Sequence, residues 1–277
     1  MRVGFFTAQK ADSPIHNLSG FTKLICFLIL TGAVMYSYDL RVILCVMVFS
    51  LIILKISKIK FSQIKLMVIY VIAFLAVNAI LTFLFSPGYG TEVYGTRHVW
   101  LKLFGRYDIT AETVFFIITK FMKYSSVIPL GMIFLLTTDP SELASSLNAV
   151  GVHYKIAFSF SLTLRYFPDI QRDYRDISQA QQARGLEMSR KAKMWDRFKR
   201  ALAILLPLIL STLDRIETIT NAMDLRGFGK HKKRTWYSRK KMTKGDFIAL
   251  AVSIVILAAT LSVAFFINRG RFYNPFI

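Results

Sequence analysis

Two arginine–glycine pairs are the residues best placed to do chemistry: Arg184-Gly185 within Gln182-Ala183-Arg184-Gly185-Leu186-Glu187, and Arg226-Gly227 within Met223-Asp224-Leu225-Arg226-Gly227-Phe228-Gly229. Glycine permits the left-handed turn that stops a helix, so each arginine is expected at an exposed helix tip. A planar, permanently charged group with five donors suits bidentate pairing with a carboxylate on a partner protein. Arginine before glycine also arises from capping and the helix dipole alone. Two matching tips in one segment favour the partner reading over two independent caps. Catalysis has no comparable support: His16, His98, His153 and His231 show no pair at metal-ligand spacing. No Gly-x-x-x-x-Gly-Lys-Ser/Thr phosphate loop occurs, so the chain is not expected to hydrolyse ATP or to hold a cofactor or metal of its own. Cys26 and Cys45 lie in apolar runs as small hydrophobes. Asn78 and Lys120 read as helix-packing or snorkelling groups.

Long amphipathic helices must position the two tips. Asp139-Pro140-Ser141-Glu142 has the form of a helix start, and Gly151 closes that short helix. From Phe160, the apolar residues Phe160, Leu164, Phe167, Ile170, Tyr174 and Ile177 recur at spacings of three and four, one face of a helix, and Arg184 continues that face two turns later. From about Trp195 to Leu225 the pattern repeats, with Ile209, Leu213, Ile216, Ile219 and Met223 leading to Arg226. Pro168 and Pro207 are expected to kink these helices. Arg165, Arg172 and Arg175 alternate with Asp169, Asp173 and Asp176, a solvated face with modest ion pairs.

The rest of the chain belongs to a bilayer. Hydrophobic residues make up 54% of the sequence and mean hydropathy is +0.46, well above globular usage. Apolar runs at about Phe21–Tyr36, Leu40–Leu54, Leu66–Phe85, Val114–Leu136 and Phe247–Ile267 give about five membrane helices, the first two short and read as a tight hairpin. The fold expected is therefore all-α and polytopic: a membrane domain over 1–138, a cytoplasmic domain of long coupling helices over 139–246, and a last transmembrane helix with a short tail over 247–277. Lysine and arginine number 36 against 16 acidic residues. Lys55, Lys58, Lys60 and Lys65 crowd the second loop, while the next mixes Arg97, Lys102 and Arg106 with Glu92, Asp108 and Glu112. The positive-inside rule then places the N-terminus in the cytoplasm and the C-terminus outside, with the basic block Lys230, Lys232, Lys233, Arg234, Arg239, Lys240, Lys241 and Lys244 on the inner face. Basic blocks between long apolar runs do not fit a nucleic-acid binder. Residues 86–111, with Pro87-Gly88-Tyr89-Gly90, suggest a short outer hairpin or interfacial segment.

Nearly the whole chain resembles the transmembrane T component of energy-coupling factor (ECF) transporters. That family ends two coupling helices in Ala-Arg-Gly, which correspond here to Ala183-Arg184-Gly185 and Leu225-Arg226-Gly227, with leucine where the second motif usually has alanine. Pro140-Ser141-Glu142-Leu143, Leu164-Arg165-Tyr166-Phe167-Pro168 and Asn221-Ala222-Met223-Asp224 also match its wording. The resemblance implies a scaffold in a prokaryotic cell membrane that couples two cytoplasmic ATPase subunits, which use ATP and Mg, to a separate substrate-binding membrane subunit for vitamin or metal uptake. It implies ATPase contacts at the two arginine motifs. The apolar faces, Phe160, Leu164 and Phe167 with Ile209, Leu213 and Ile216, would meet the substrate-binding subunit. The alternatives are a conventional permease or a secondary carrier that binds substrate itself, or a membrane-bound enzyme; no broken helices around a polar mid-membrane site and no convergent titratable groups are visible for these.

Overall fold

The computed structural model describes residues 13–59, 61–102, 107–185, 194–231, 235–237, 239–268 and 270–276. Lys60, Arg106, Leu186, Glu187, Lys232, Lys233 and Arg234 of the sequence reading lie outside the described residues. Helices dominate, as the apolar periodicity requires. In chain order they are α1 (Pro14–Asn17), α2 (Gly20–Tyr36), α3 (Leu40–Ile56), α4 (Phe61–Phe85), α5 (Tyr89–Tyr94), the antiparallel pair β1 (Val99–Leu101) and β2 (Ile109–Thr110), α6 (Ala111–Thr137), α7 (Pro140–Ala149), α8 (Tyr154–Ala183), α9 (Met194–Leu225) and α10 (Lys244–Ser262), which runs on as a π-turn over Val263–Ile267. Residues 86–111 thus hold a short helix and a two-stranded hairpin.

The described residues divide into two compact units: those within Leu143–Ser238, and those from Ser13 to Glu142 together with those within Arg239–Ile277. In the second unit, Met67–Phe85, Ala111–Thr137 and Lys244–Ile267 are long and apolar enough to cross a membrane. α2 and α3 have 17 residues each, about 25 Å of helix against a hydrocarbon core of about 30 Å. α4 is apolar all round and, among its described side chains, only Leu75 of the large ones is buried, the pattern of a helix whose neighbour is lipid.

The tight α2–α3 hairpin holds as a connection but not as a packed pair. Ser37, Tyr38 and Asp39 join the helices, yet α3 packs chiefly on α6, and α2 on α10 and α6. The core, Leu30, Val34, Val46 and Leu130, accordingly draws on all three of α2, α3 and α6. Lys123, inside α6, fixes this arrangement: its Nζ donates to the Met35 carbonyl at 2.6 Å and sits 3.3 Å from the Tyr38 ring centroid. Lys120 donates to Thr82 Oγ1 at 2.9 Å, tying α6 to α4, which fits its reading as a packing group.

Polar groups also fasten the helix ends. Asp246, fully buried, accepts from the backbone N–H of Ser19 at 2.8 Å and of Thr243 at 2.7 Å, capping α2 and α10 with one carboxylate. Glu142 accepts from Gly20 N–H at 3.1 Å and from Lys240 Nζ at 3.1 Å. Lys23 donates to the Thr137 carbonyl at 2.8 Å, closing the end of α6. At the other end of α2, buried Asp39 caps α3 through Arg41 N–H, pairs with the Arg41 guanidinium at 2.9 Å and accepts from Asn268 Nδ2 at 2.9 Å. Burial works to raise the Asp39 carboxyl pKa, but the hydrogen bonds from Arg41 and Asn268 outweigh it and hold the group below its ordinary 3.8.

Two outcomes follow for stability. Asp246→Ala leaves two backbone donors without a partner and is expected to cost about 2–4 kcal/mol, with Asp246→Asn costing less, read as the thermal midpoint in mild detergent. Because the folded pKa of Asp39 lies below the unfolded one, its contribution is complete above the unfolded value and fades as pH falls through the folded one. The midpoint gap between the parent and Asp39→Asn should therefore stay constant from near neutrality down to about pH 5 and close only below about pH 4.

Candidate functional site

The two arginine motifs lie in the Leu143–Ser238 unit, on α8 and α9. α8 begins at Tyr154, earlier than the apolar stripe from Phe160 suggests, because the His153 ring accepts from Lys155 N–H and caps it there. α8 and α9 each continue through their prolines.

The helices run antiparallel. Arg215 Nη2 pairs with Asp173 Oδ2 at 2.7 Å, and Gln181 Nε2 donates to the Ala203 carbonyl at 3.4 Å, so partners on α9 fall in number as those on α8 rise. The two tips therefore stand at opposite ends of the pair. From Ala203, beside Gln181, to Arg226 the helical rise amounts to about 35 Å. Asp173 is thus a cross-helix partner, which its place in an alternating charge pattern did not reveal, whereas Arg172 with Asp169 is the exposed, 3.5 Å ion pair that pattern leads one to expect.

Both tips have the geometry expected from glycine. Gly185 and Gly227 have φ of +88° and +68°, and each donates to the carbonyl three residues back, Gln182 and Asp224. At the second tip Phe228 N–H also bonds the Met223 carbonyl at 2.9 Å, completing a Schellman closure. The arginines occupy the C-cap position in both cases, and both are exposed. α7 closes in the same way, with Gly151 at φ +112° and Val152 N–H on the Leu147 carbonyl, but the residue before that glycine is Val150. Arginine is therefore not a requirement of the turn. Ala183 is exposed at the first tip, and Leu225 is 90% exposed at the second, so its bulk meets no close packing within this chain.

The second tip is anchored by aromatic packing. Phe228 packs edge-on against Tyr154 and tilted against Phe158, with centroids 5.7 and 4.9 Å apart, and Trp236 donates to Asn148 Oδ1 at 3.0 Å while lying 6.3 Å from Phe158. The turn after Arg226 is thereby held against the start of α8.

The apolar faces are open. Phe160, Phe167, Ile209, Leu213 and Ile216 are exposed, and Leu164 is half-buried. The open surface on α9 is broader than the stripe read from periodicity, because Leu202, Leu205, Leu206 and Leu210 are exposed as well. Their signal was present as a near-continuous apolar run around Pro207, which a search for a single stripe passes over. Among the described residues no cluster of three or more histidine, cysteine or acidic side chains is placed to hold a metal ion.

Comparison with known proteins agrees with this architecture. Residues 11–237 match the CbiQ family, described as cobalt transport proteins. The chain is 26% identical over 259 residues to the energy-coupling factor transporter transmembrane protein EcfT of Lactococcus lactis subsp. cremoris, covering 90% of this chain and 93% of that protein. It is 33% identical over 141 residues to the protein of the same description from Limosilactobacillus fermentum, covering 48% of this chain and 51% of that one. It is also 30% identical over 167 residues to a putative ABC transporter ATP-binding protein of Bifidobacterium longum, covering 57% of this chain and 21% of the other. At these higher identities the chain thus spans about half, or less, of its relatives' length.

The Asp173–Arg215 pair, partly shielded between helices, should show a coupling of about 0.5–1 kcal/mol in a double-mutant cycle of Asp173→Ala and Arg215→Ala on thermal unfolding. A coupling of zero would mean that packing alone holds the helices together.

Proposed function

The chain belongs to the CbiQ family and is a transmembrane component of ECF transporters in the bacterial cell membrane, and we propose that it is the scaffold through which two cytoplasmic ATPase subunits drive a separate substrate-binding membrane subunit. The observation that carries this reading is the pair of exposed C-cap arginines at opposite ends of one antiparallel helix pair. One tip could serve a single docking loop; two tips about 35 Å apart suit two grooves on two separate subunits. Each guanidinium would enter an acidic groove and pair bidentately, a contact that only arginine makes with two parallel N–H donors. The ATP-binding description of the Bifidobacterium relative fits a membrane chain that works alongside an ATPase.

In this scheme nucleotide-driven closing of the ATPases shifts the two tips, and α8 and α9 carry the displacement. The exposed surfaces around Phe160, Phe167, Ile209, Leu213 and Ile216 form the contact for the substrate-binding subunit, because apolar area of this extent on a soluble segment needs a partner. The substrate, a vitamin or a metal ion, stays with that subunit. ATP and Mg stay with the ATPases, and this chain does no catalysis. The basic end of the membrane unit faces the cytoplasm, with the N-terminus inside and the C-terminus outside.

Co-purification with the cognate ATPases and substrate uptake test the proposal together. Arg184→Ala and Arg226→Ala each remove one side of a carboxylate pair, a loss of about 3–5 kcal/mol where that pair is buried in the complex. Each single variant should lose most ATPase recovery and uptake, and the double variant all of it, with the thermal midpoint unchanged. Variants indistinguishable from the parent would make the tips ordinary caps and return the secondary-carrier reading.

A further inference from the structure

α3 and α10 flank α2 without packing on each other as a pair, and each turns an apolar stripe toward the gap. On α3 the stripe is Val42, Val46, Phe49, Ile53 and Ile56; on α10 it is Ala249, Ser253, Ile256, Thr260 and Val263. Both advance by three, four or seven residues, so both keep one face toward the gap over the whole length of the helices. The gap holds two cavities, of about 520 and 440 Å³, which meet at Phe49, a residue that lines both. Their linings are mostly apolar, and the charged residues among them, Lys23, Asp39 and Arg41, are engaged in the bonds described above. Ser253 and Thr260, the hydroxyls on the α10 stripe, donate back to the carbonyls of Ala249 and Ile256 and offer the cavities no free donor.

A space of this kind in a membrane does not stay empty, because its lining would forgo its dispersion contacts and water gains no partners there. Volume decides what fills it. A spanning helix about 10 Å wide and 30 Å long encloses roughly 2,400 Å³, well over the two cavities together. A long acyl chain is slender, flexible and apolar, and matches each cavity. Charge decides which lipid. At the end where Ile53 and Ile56 line the gap, Lys55 and Lys58 follow in the same stretch, and Lys244 opens α10 one turn before the lining begins; all three are exposed. Of the acidic groups near that end, Glu142 pairs with Lys240 and Asp246 with the amides of Ser19 and Thr243, which leaves exposed Asp139 as one acid against the three lysines. The lysines therefore present positive charge beside an apolar slot.

We propose that the cleft between α3 and α10 is a binding site for an anionic glycerophospholipid, with an acyl chain in the cleft and the headgroup phosphate at Lys55, Lys58 and Lys244. The lipid then fills the apolar space between two helices that the protein ties together through Asp39 and Asn268 at the opposite end.

The test uses the full-length chain reconstituted in nanodiscs of equal parts phosphatidylglycerol and phosphatidylcholine, transferred to mild detergent and analysed by native mass spectrometry. The parent should retain phospholipid with phosphatidylglycerol favoured by about fivefold or more. Ser253→Phe, which fills one cavity, should lower retention severalfold. The triple variant Lys55→Gln, Lys58→Gln, Lys244→Gln should keep lipid but lose the headgroup preference. No retained lipid, equal headgroups on the parent, or undiminished retention by a folded Ser253→Phe variant would each overturn the proposal. Should Ser253→Phe fail to fold, Cys26 supplies a second readout, since it lines the cavity that Ser253 lines. In a Cys45→Ala background its reaction with N-ethylmaleimide should slow severalfold when phosphatidylglycerol is added to the detergent-solubilised protein, and an unchanged rate would refute the site.

Discussion

A helix end buried within the protein has no water for its open amides, and the amino end of α2 meets this constraint with carboxylates delivered from remote stretches of the chain. Asp246 reaches it from the start of α10, and Glu142 from the first turn of α7. One carboxylate, Asp246, closes the ends of two helices at once, which fixes where α10 begins relative to α2 and makes α2 the neighbour of both α10 and α6. The packing of the apolar faces follows from this placement. In a bilayer, lipid competes with protein for apolar surface, so apolar area alone would not select which helices become neighbours.

Much of the architecture was legible because it is local. The limits of α2, α3, α4, α6 and α10 follow the apolar runs within a few residues, and the ends of α7, α8 and α9 fall at Gly151, Gly185 and Gly227, where a residue without Cβ accepts a left-handed turn. What was not legible is long-range. Asp173 sits in an alternating charge pattern that fits a solvated face, and only the fold brings Arg215 to it across 42 positions. Lys123 breaks an apolar run without announcing a partner, because its acceptor is the backbone carbonyl of Met35, and a carbonyl leaves no mark on the sequence. The wedge of α6 against both α2 and α3 is hidden for the same reason: short connections suggest that successive helices pair, whereas the polar anchors decide otherwise.

The arginine tips occupy a middle position between these cases. Their location at helix ends was local and legible, and their disposition at opposite ends of an antiparallel pair was not. Comparison within the chain separates function from folding here. α7 makes the same glycine closure with valine before the glycine, so the turn itself does not select arginine. An exposed guanidinium, moreover, gives up little to a helix dipole in water, a few tenths to about 1 kcal/mol. Bidentate pairing with a carboxylate on a partner, as proposed above, would use the planar guanidinium in a way the turn does not.

The connections of the chain add the last step. It leaves the membrane unit after Glu142 and re-enters it at Arg239, and the two passages are fastened to each other by the Glu142–Lys240 pair. Lys240 and Lys23 both donate to the His16 carbonyl, and Lys23 also donates to Thr137 at the end of α6. The amino ends of α2 and α10, the end of α6 and the start of α7 thus share hydrogen bonds within the membrane unit. The polar junction therefore fixes the helix ends, while the apolar α3–α10 cleft leaves the stretches beyond it without such fastening.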